Sequence, residues 1–381
     1  PGDGRRPHHL SARHRSHDLT PDHPDVLYWL ALEAVPGVGS ETARRLLEHF
    51  QTPRALFEAP ASLLKPLVGE PLAERLRAPV SADAHQAALD WLSTPDAHLI
   101  TWLDPEYPDL LRTLPDPPPW FYLKGDPATL KRPLFAIVGS RNATAQGRRD
   151  AHAFAEALAA AGLTIASGLA EGIDTAAHEG GLVGNGSGLA VVGTGLDRVY
   201  PAKNRDLAHR LAAGGALLSE FALGTPPKPG NFPRRNRLIS GLSLGLLVVE
   251  AAPQSGSLIT ARLAAEQGRD VFAVPGSIHS ALAKGCHQLI KQGAKLVESA
   301  ADILEELNLP WARALVEAAT PEPDAEPADP LLALMGTDPI SLDVLAGRAG
   351  LTVDSLSAML FAHEMAGRVA LLPGGFYQRL H

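Results

Sequence analysis

Phe135-Ala136-Ile137-Val138-Gly139-Ser140-Arg141 is an apolar run of strand length that stops on a glycine and turns polar at once. An Ala-rich stretch from about Gln146 to Ala161 follows, with Gly162 as its stop, and the pattern then starts again at Leu163-Thr164-Ile165-Ala166. It recurs at Leu189-Ala190-Val191-Val192, Ala216-Leu217-Leu218, Leu246-Leu247-Val248-Val249 and Val271-Phe272-Ala273-Val274. A strand with no polar alternation has both faces buried. Apolar strands alternating with helical stretches predict a parallel sheet with helices on either side, a Rossmann-like α/β domain spanning 96–309.

In such a sheet ligands bind outside the carboxyl ends of the strands. The residues there are small or charged: Gly139-Ser140-Arg141, Ser167-Gly168, Gly193-Thr194-Gly195, Ser219-Glu220 and Glu250-Ala251-Ala252, then Ser255-Gly256-Ser257 opening a helix. Small residues let a ligand backbone approach closely, and helix N-termini favour anions. One further stretch belongs with them, Gly230-Asn231-Phe232-Pro233-Arg234-Arg235-Asn236-Arg237. Proline suits a first helical turn, so the stretch reads as a loop that opens a helix at the Phe-Pro step. Guanidinium groups at the positive end of a helix dipole are poorly placed unless an anion joins them. Phosphate fits that role, and Phe232 offers a face on which a base can stack. A solvated arginine run at a helix start is the plainer reading of the same residues.

Other chemistries are excluded or left open. Gly193-Thr194-Gly195 continues as Leu196-Asp197-Arg198, so the GxGxxG dinucleotide fingerprint is missing, and no GxxxxGK[ST] occurs. Asp174 and His178 stand one helical turn apart, either as an acid–base pair or as a local Asp–His hydrogen bond. The one cysteine, Cys286, excludes intrachain disulfides and Cys-based zinc sites. With 45% hydrophobic and 20% charged residues, no span-length apolar run and no signal-like opening, the chain reads as cytoplasmic, without membrane attachment. Its net charge of −8 confines any nucleic-acid contact to a local basic pocket.

Around the α/β domain, 1–24 is rich in His, Arg and Pro and reads as a disordered tail whose histidines could at most hold a metal weakly. The 25–95 segment reads as a helical domain. Pro36-Gly37-Val38-Gly39 leads into a helix N-capped by Ser40 with Ala43, Leu46, Leu47 and Phe50 on one face, a pattern like a helix-hairpin-helix. Thr101 to Pro133, rich in proline and aromatics, reads as a connector packed on the sheet edge. A linker at 310–329 leads to 330–381, where two helices and a hairpin predict a winged helix. Its second helix carries Asp354 and Glu364 but no Lys or Arg, which suits duplex DNA poorly and protein contact better.

Together these stretches resemble the DNA-processing protein A (DprA) family. The resemblance rests on Ala136-Ile137-Val138-Gly139-Ser140-Arg141, on Ser167-Gly168-Leu169-Ala170-Glu171-Gly172-Ile173-Asp174-Thr175-Ala176-Ala177-His178 and on Tyr200-Pro201. It rests also on Phe232-Pro233-Arg234-Arg235-Asn236-Arg237, Ser255-Gly256-Ser257 and Ala273-Val274-Pro275-Gly276. It covers nearly all of the chain beyond the tail. It implies a homodimeric, non-enzymatic protein without cofactor that protects single-stranded DNA during natural transformation and loads RecA recombinase onto it. Single-strand-binding protein is a further implied partner. The implied DNA contacts are Gly139, Ser140, Arg141, Ser167, Gly168, Lys228, Phe232, Arg234, Arg235, Asn236, Arg237, Ser255, Gly256 and Ser257. The alternative is a nucleotide phosphoribohydrolase on the same Rossmann variant. Such enzymes carry a catalytic glutamate three residues beyond a Pro-Gly-Gly-x-Gly-Thr loop, and this chain has Leu263 at the comparable place after Thr260.

Overall fold

The computed structural model describes residues 21, 23–309, 329–336 and 338–380. The His-rich tail up to residue 20 and the 310–328 part of the linker lie outside them.

The chain opens with α1 (Val26–Ala34), α2 (Ser40–Phe50), α3 (Pro53–Phe57), α4 (Ala61–Val68), α5 (Glu70–Leu76) and α6 (Gln86–Leu92). Ala43, Leu46 and Leu47 of α2 are buried, as their spacing requires. The cap differs from expectation. Gly39, extended at φ −92° and ψ 176°, is the N-cap, and Ser40 is already helical with no capping bond.

Strand β1 (Ala97–Thr101), the short α7 (Asp109–Arg112) and β2 (Trp120–Gly125) come next. The Pro-rich stretch is therefore more than a connector. β1 and β2 pair antiparallel, and β2 pairs antiparallel with the sheet's β6 (Ala216–Ser219). Its aromatics alternate in direction, as strand residues must. Phe121 and Leu123 enter the sheet core, whereas Trp120 and Tyr122 pack into the helical domain. There the half-buried carboxylate of Glu33 on α1 accepts from Tyr122 Oη (2.6 Å) and Trp120 Nε1 (3.1 Å). Burial raises the Glu33 pKa and these two donors oppose the rise.

The remaining α/β elements are β3 (Leu134–Val138), α8 (Ala145–Ala160), β4 (Thr164–Ser167), α9 (Ile173–Asn185), β5 (Gly188–Val191), α10 (Arg205–Gly214) and β6. They continue with α11 (Asn231–Leu242), β7 (Gly245–Val248), α12 (Gly256–Glu266), β8 (Asp270–Ala273), α13 (Lys284–Lys291), β9 (Lys295–Leu296) and α14 (Ala300–Glu306). Among the described residues nine strands form one sheet in the order β1-β2-β6-β5-β4-β3-β7-β8-β9, parallel from β6 to β9. Both faces are covered. Ala136, Val138, Leu246 and Val248 pack towards α11, α12 and α13. Phe135, Ile137, Leu247 and Val249 pack towards α8, α9 and α14. On that second face α8 and α9 lie backbone to backbone, since a Cβ on Gly180 would stand 2.2 Å from the His152 carbonyl oxygen. From β3 the chain steps outward through β4, β5 and β6, then crosses back to place β7 on the other side of β3. That reversal opens a crevice above β3 and β7.

The last unit contains α15 (Pro330–Met335), β10 (Ile340–Ser341), α16 (Leu342–Ala349), α17 (Val353–Met365), β11 (Val369–Leu372) and β12 (Phe376–Arg379). Its three strands pair in the order β10-β12-β11, a winged helix with one more helix and one more strand than the sequence suggested. It touches α8, where the Gln146 N–H donates to Gln378 Oε1 (3.3 Å) and Arg149 donates to the Gly367 carbonyl (2.6 Å). Among the described residues no single helix is long and apolar enough to cross a membrane.

Candidate nucleic-acid interface

The crevice at the β3/β7 switch point encloses about 730 Å³. It draws on three segments far apart in sequence: Gly139-Ser140-Arg141 after β3, the start of α11, and Ser255-Gly256-Ser257 at the start of α12.

Besides the start of α11, the N-termini of α8 and α12 lie near this region, and they differ. That of α8 is already served by a carboxylate. Glu250, at the end of β7, accepts from the Thr144 N–H (2.9 Å) and Thr144 Oγ1 (2.7 Å). The start of α12 lines the crevice itself. Ser255 caps it, and its Oγ lies 2.6 Å from Ser257 Oγ. A phosphate in the crevice would meet the positive end of α12, not that of α8.

Helix α11 begins at Asn231, earlier than the Phe-Pro step suggested. Asn231 Nδ2 donates to the Gly193 carbonyl (2.9 Å) and its N–H donates to the Lys228 carbonyl (3.0 Å), which wind the turn before Pro233. Pro233 then falls within the first turn, where its missing N–H leaves no helix bond unmade. Phe232 is thus a helical residue and not a loop residue. Its half-buried ring lies 5.8 Å from Tyr200, and the Arg141 guanidinium carbon sits 5.4 Å from its centroid. Arg141 is exposed and has no carboxylate partner among the described residues. Tyr200 is 46% exposed and also lines the crevice. Arg141, Phe232 and Tyr200 thus form one continuous cationic and aromatic face at the rim. Tyr200 is absent from the contacts expected from sequence, although an aromatic-proline step, Tyr200-Pro201, after a strand-end loop is a usable signal.

The three arginines of α11 part company. Arg235 is 4% exposed, forms part of the crevice lining and donates from Nη1 to the Val191 carbonyl (2.5 Å). It lies directly over Gly168, where a Cβ would fall 1.9 Å from Nη1. Burial brings the Arg235 pKa down to about 10, with Asp174 resisting and Arg141 assisting, so it stays charged at neutral pH. Arg234 is half exposed and pairs with Glu220 (Nε–Oε1, 3.2 Å). Arg237 is buried, paired with Glu220 and with Asp116 (Nε–Oδ2, 3.1 Å), away from the crevice lining. Asn236 lines the crevice.

Ser167 and Gly168 sit one layer below. Ser167 Oγ donates to the Ile137 carbonyl (2.6 Å), and the Gly168 N–H donates to Asp174 Oδ2 (3.1 Å). Lys228 is exposed between Pro227 and Pro229, which form part of the rim.

Asp174 and His178 form neither of the arrangements the sequence allowed. Asp174 accepts from the Gly168 and Ala170 N–H groups. His178 is wholly buried, and neither ring nitrogen has a hydrogen-bond partner among the described residues. Burial, with a smaller push from Arg235, holds its pKa down to about 3. A depressed folded-state value means that unfolding takes up a proton below the unfolded value of about 6.5. The neutral-histidine contribution to stability is complete above pH 6.5 and is lost as pH falls towards 3. Denaturant titrations should show the wild type losing up to about 1.4 kcal/mol per pH unit relative to His178→Leu across that window. Parallel pH profiles would show that the imidazole titrates alike in both states.

The profile described as "DNA recombination-mediator protein A" matches residues 98–308, and that described as "DprA winged helix domain" matches 316–375. Protein Smf of Escherichia coli K12 is 45% identical over 298 residues, 76% of this chain and 80% of that one. The X-ray structure of DNA processing protein A from Streptococcus pneumoniae superposes with a TM-score of 0.66 at 38% identity, covering 74% of this chain and 97% of that one. A Helicobacter pylori DNA processing protein A, whose structure is described for its single-stranded DNA binding mode, superposes at 0.51 with 29% identity, covering 56% and 95%. The fold superposition and the winged-helix match agree with the architecture above, and the chain belongs to the DNA recombination-mediator protein A (DprA) family.

Proposed function

We propose that the chain binds single-stranded DNA in the β3/β7 crevice, holds it through backbone and stacking contacts without breaking a bond, and passes it to RecA recombinase during natural transformation. The observation that carries this reading is the stack of Arg141, Phe232 and Tyr200 at the rim of a crevice floored by the α12 N-terminus. A phosphate meets Arg141 and the α12 N–H groups, and a base lies against the rings, a sequence-tolerant way to hold a single strand. The DNA bound by the Helicobacter pylori relative supports the same reading. The family resemblance supplies homodimerisation through the α/β domain, hand-over to RecA and contact with single-strand-binding protein as parts of this proposal. Leu263, on α12, stands where the hydrolase alternative would need its catalytic glutamate.

The test separates stacking from charge. Arg141→Ala should weaken single-strand binding by about 1–3 kcal/mol, as for a lost charge-assisted hydrogen bond, with little change in melting because the side chain is exposed. It should also lower the salt slope by about 0.7, the share of one single-strand phosphate contact. Phe232→Ala should cost about 1–3 kcal/mol of binding and leave that slope nearly unchanged. Anisotropy titrations of single-stranded and duplex oligonucleotides across salt read both effects. Normal affinity in folded Arg141→Ala would remove the crevice as the DNA site.

A further inference from the structure

A second groove, of about 840 Å³, runs between the N-terminal halves of α8 and α9. Arg141 and Asn142 line both it and the crevice, so the two are continuous. We propose that single-stranded DNA leaving the crevice runs along this groove, with Arg148 as a phosphate contact outside the crevice. The proposal rests on the crevice reading above and extends it along the protein surface.

The charge pattern carries the argument. Acids outnumber bases in the whole chain, 42 Asp and Glu to 34 Lys and Arg, yet the groove reverses that balance. Its walls carry Arg141, Arg148, Arg149 and Lys203 against Glu171 and Glu179. Lys203 and Glu171 neutralise each other. Arg148 is exposed and has no carboxylate partner among the described residues. One of its five N–H donors reaches the Ala143 carbonyl (2.5 Å), which steadies the side chain and leaves the rest of the fork for an anion. Arg149 donates to the Gly367 carbonyl, so the groove ends against the winged helix. In a protein of net charge −8, a cationic track continuous with a stacking site favours a polyanion leaving that site. Because bases stack singly in the crevice, the polyanion that continues is a single strand.

The test compares oligothymidylates of about 6 and about 20 nucleotides on the full chain, lengths that span the site sizes of single-strand binders. Arg148→Gln keeps a donor for the Ala143 carbonyl and removes the charge. It should weaken the 20-mer about fivefold, lower its salt slope by about 0.7 and leave the 6-mer within about twofold. Glu179→Gln removes an exposed acid from the groove wall and should tighten the 20-mer about twofold, a gain that damage to the fold cannot produce. Equal losses on both lengths, no loss on either, or a 20-mer indifferent to Glu179→Gln would each overturn the groove. Failure of the crevice reading looks different: the 6-mer would then be insensitive to Phe232→Ala, a residue that lines the crevice and not the groove.

Discussion

Replacing Arg237 with alanine is expected to cost about 3–5 kcal/mol of folding stability, while the folded fraction keeps its affinity for single strands. The substitution leaves Glu220, whose side chain is 2% exposed, with only Arg234, and that partner is 51% exposed. It also frees Asp116, which accepts from Arg237 through both its side chain and its carbonyl. Burial already raises the Glu220 pKa, with Arg237 and then Arg234 opposing. Without Arg237 it rises further. A carboxyl raised in the folded state contributes stability below its unfolded pKa that is lost as pH climbs through the folded value. The deficit of the variant should therefore be larger at about pH 8 than at about pH 5 in urea melts. Glu220→Gln combined with Arg237→Met should recover most of the loss, since apolar replacement of a buried pair is often neutral. Intact stability with lost DNA binding would return Arg237 to the list of phosphate contacts.

Arg235→Met should damage both properties. The side chain is buried over Gly168, holds the Val191 carbonyl and faces Asp174, whose pKa burial raises and Arg235 chiefly opposes. Its loss leaves the buried Val191 carbonyl without that donor and Asp174 with only its backbone N–H partners, at a cost of about 1–3 kcal/mol. Binding should fall at least about tenfold, because the crevice loses a buried cation and the ring of Phe232 loses the guanidinium 6.0 Å from its centroid. Arg235→Lys should keep part of the stability through its charge but little of the affinity, since an ammonium cannot span the same fork of contacts. Chemical denaturation and anisotropy on the same samples resolve the two losses. Wild-type affinity in folded Arg235→Met would make this arginine purely structural. The two variants, two residues apart on one helix, thus separate by whether affinity follows stability.

The sheet could be read in the sequence because a continuous apolar run such as Phe135–Val138 or Leu246–Val249 needs cover on both faces, and helices between successive runs provide it. The position of the crevice followed from the same alternation, since glycines and charges fall where each run ends. Gly139-Ser140-Arg141, the start of α11 and Ser255-Gly256-Ser257 do meet there. Three added strands, β1, β2 and β9, were not legible; for β2, prolines before Trp120–Gly125 mask an alternation completed only by pairing with β6. Nor were the separate fates of Arg234, Arg235 and Arg237. Successive helical residues point about 100° apart, so neighbours in sequence face different surroundings. What each meets there, Glu220, the Val191 carbonyl over Gly168, or Asp116 from 121 residues away, is supplied by other elements. The sequence alone determined that arginines and small loops would gather at one end of the sheet. Only tertiary packing decided which guanidiniums neutralise the protein's own carboxylates and which remain for a ligand, because a buried charge is settled by the partner the fold brings to it.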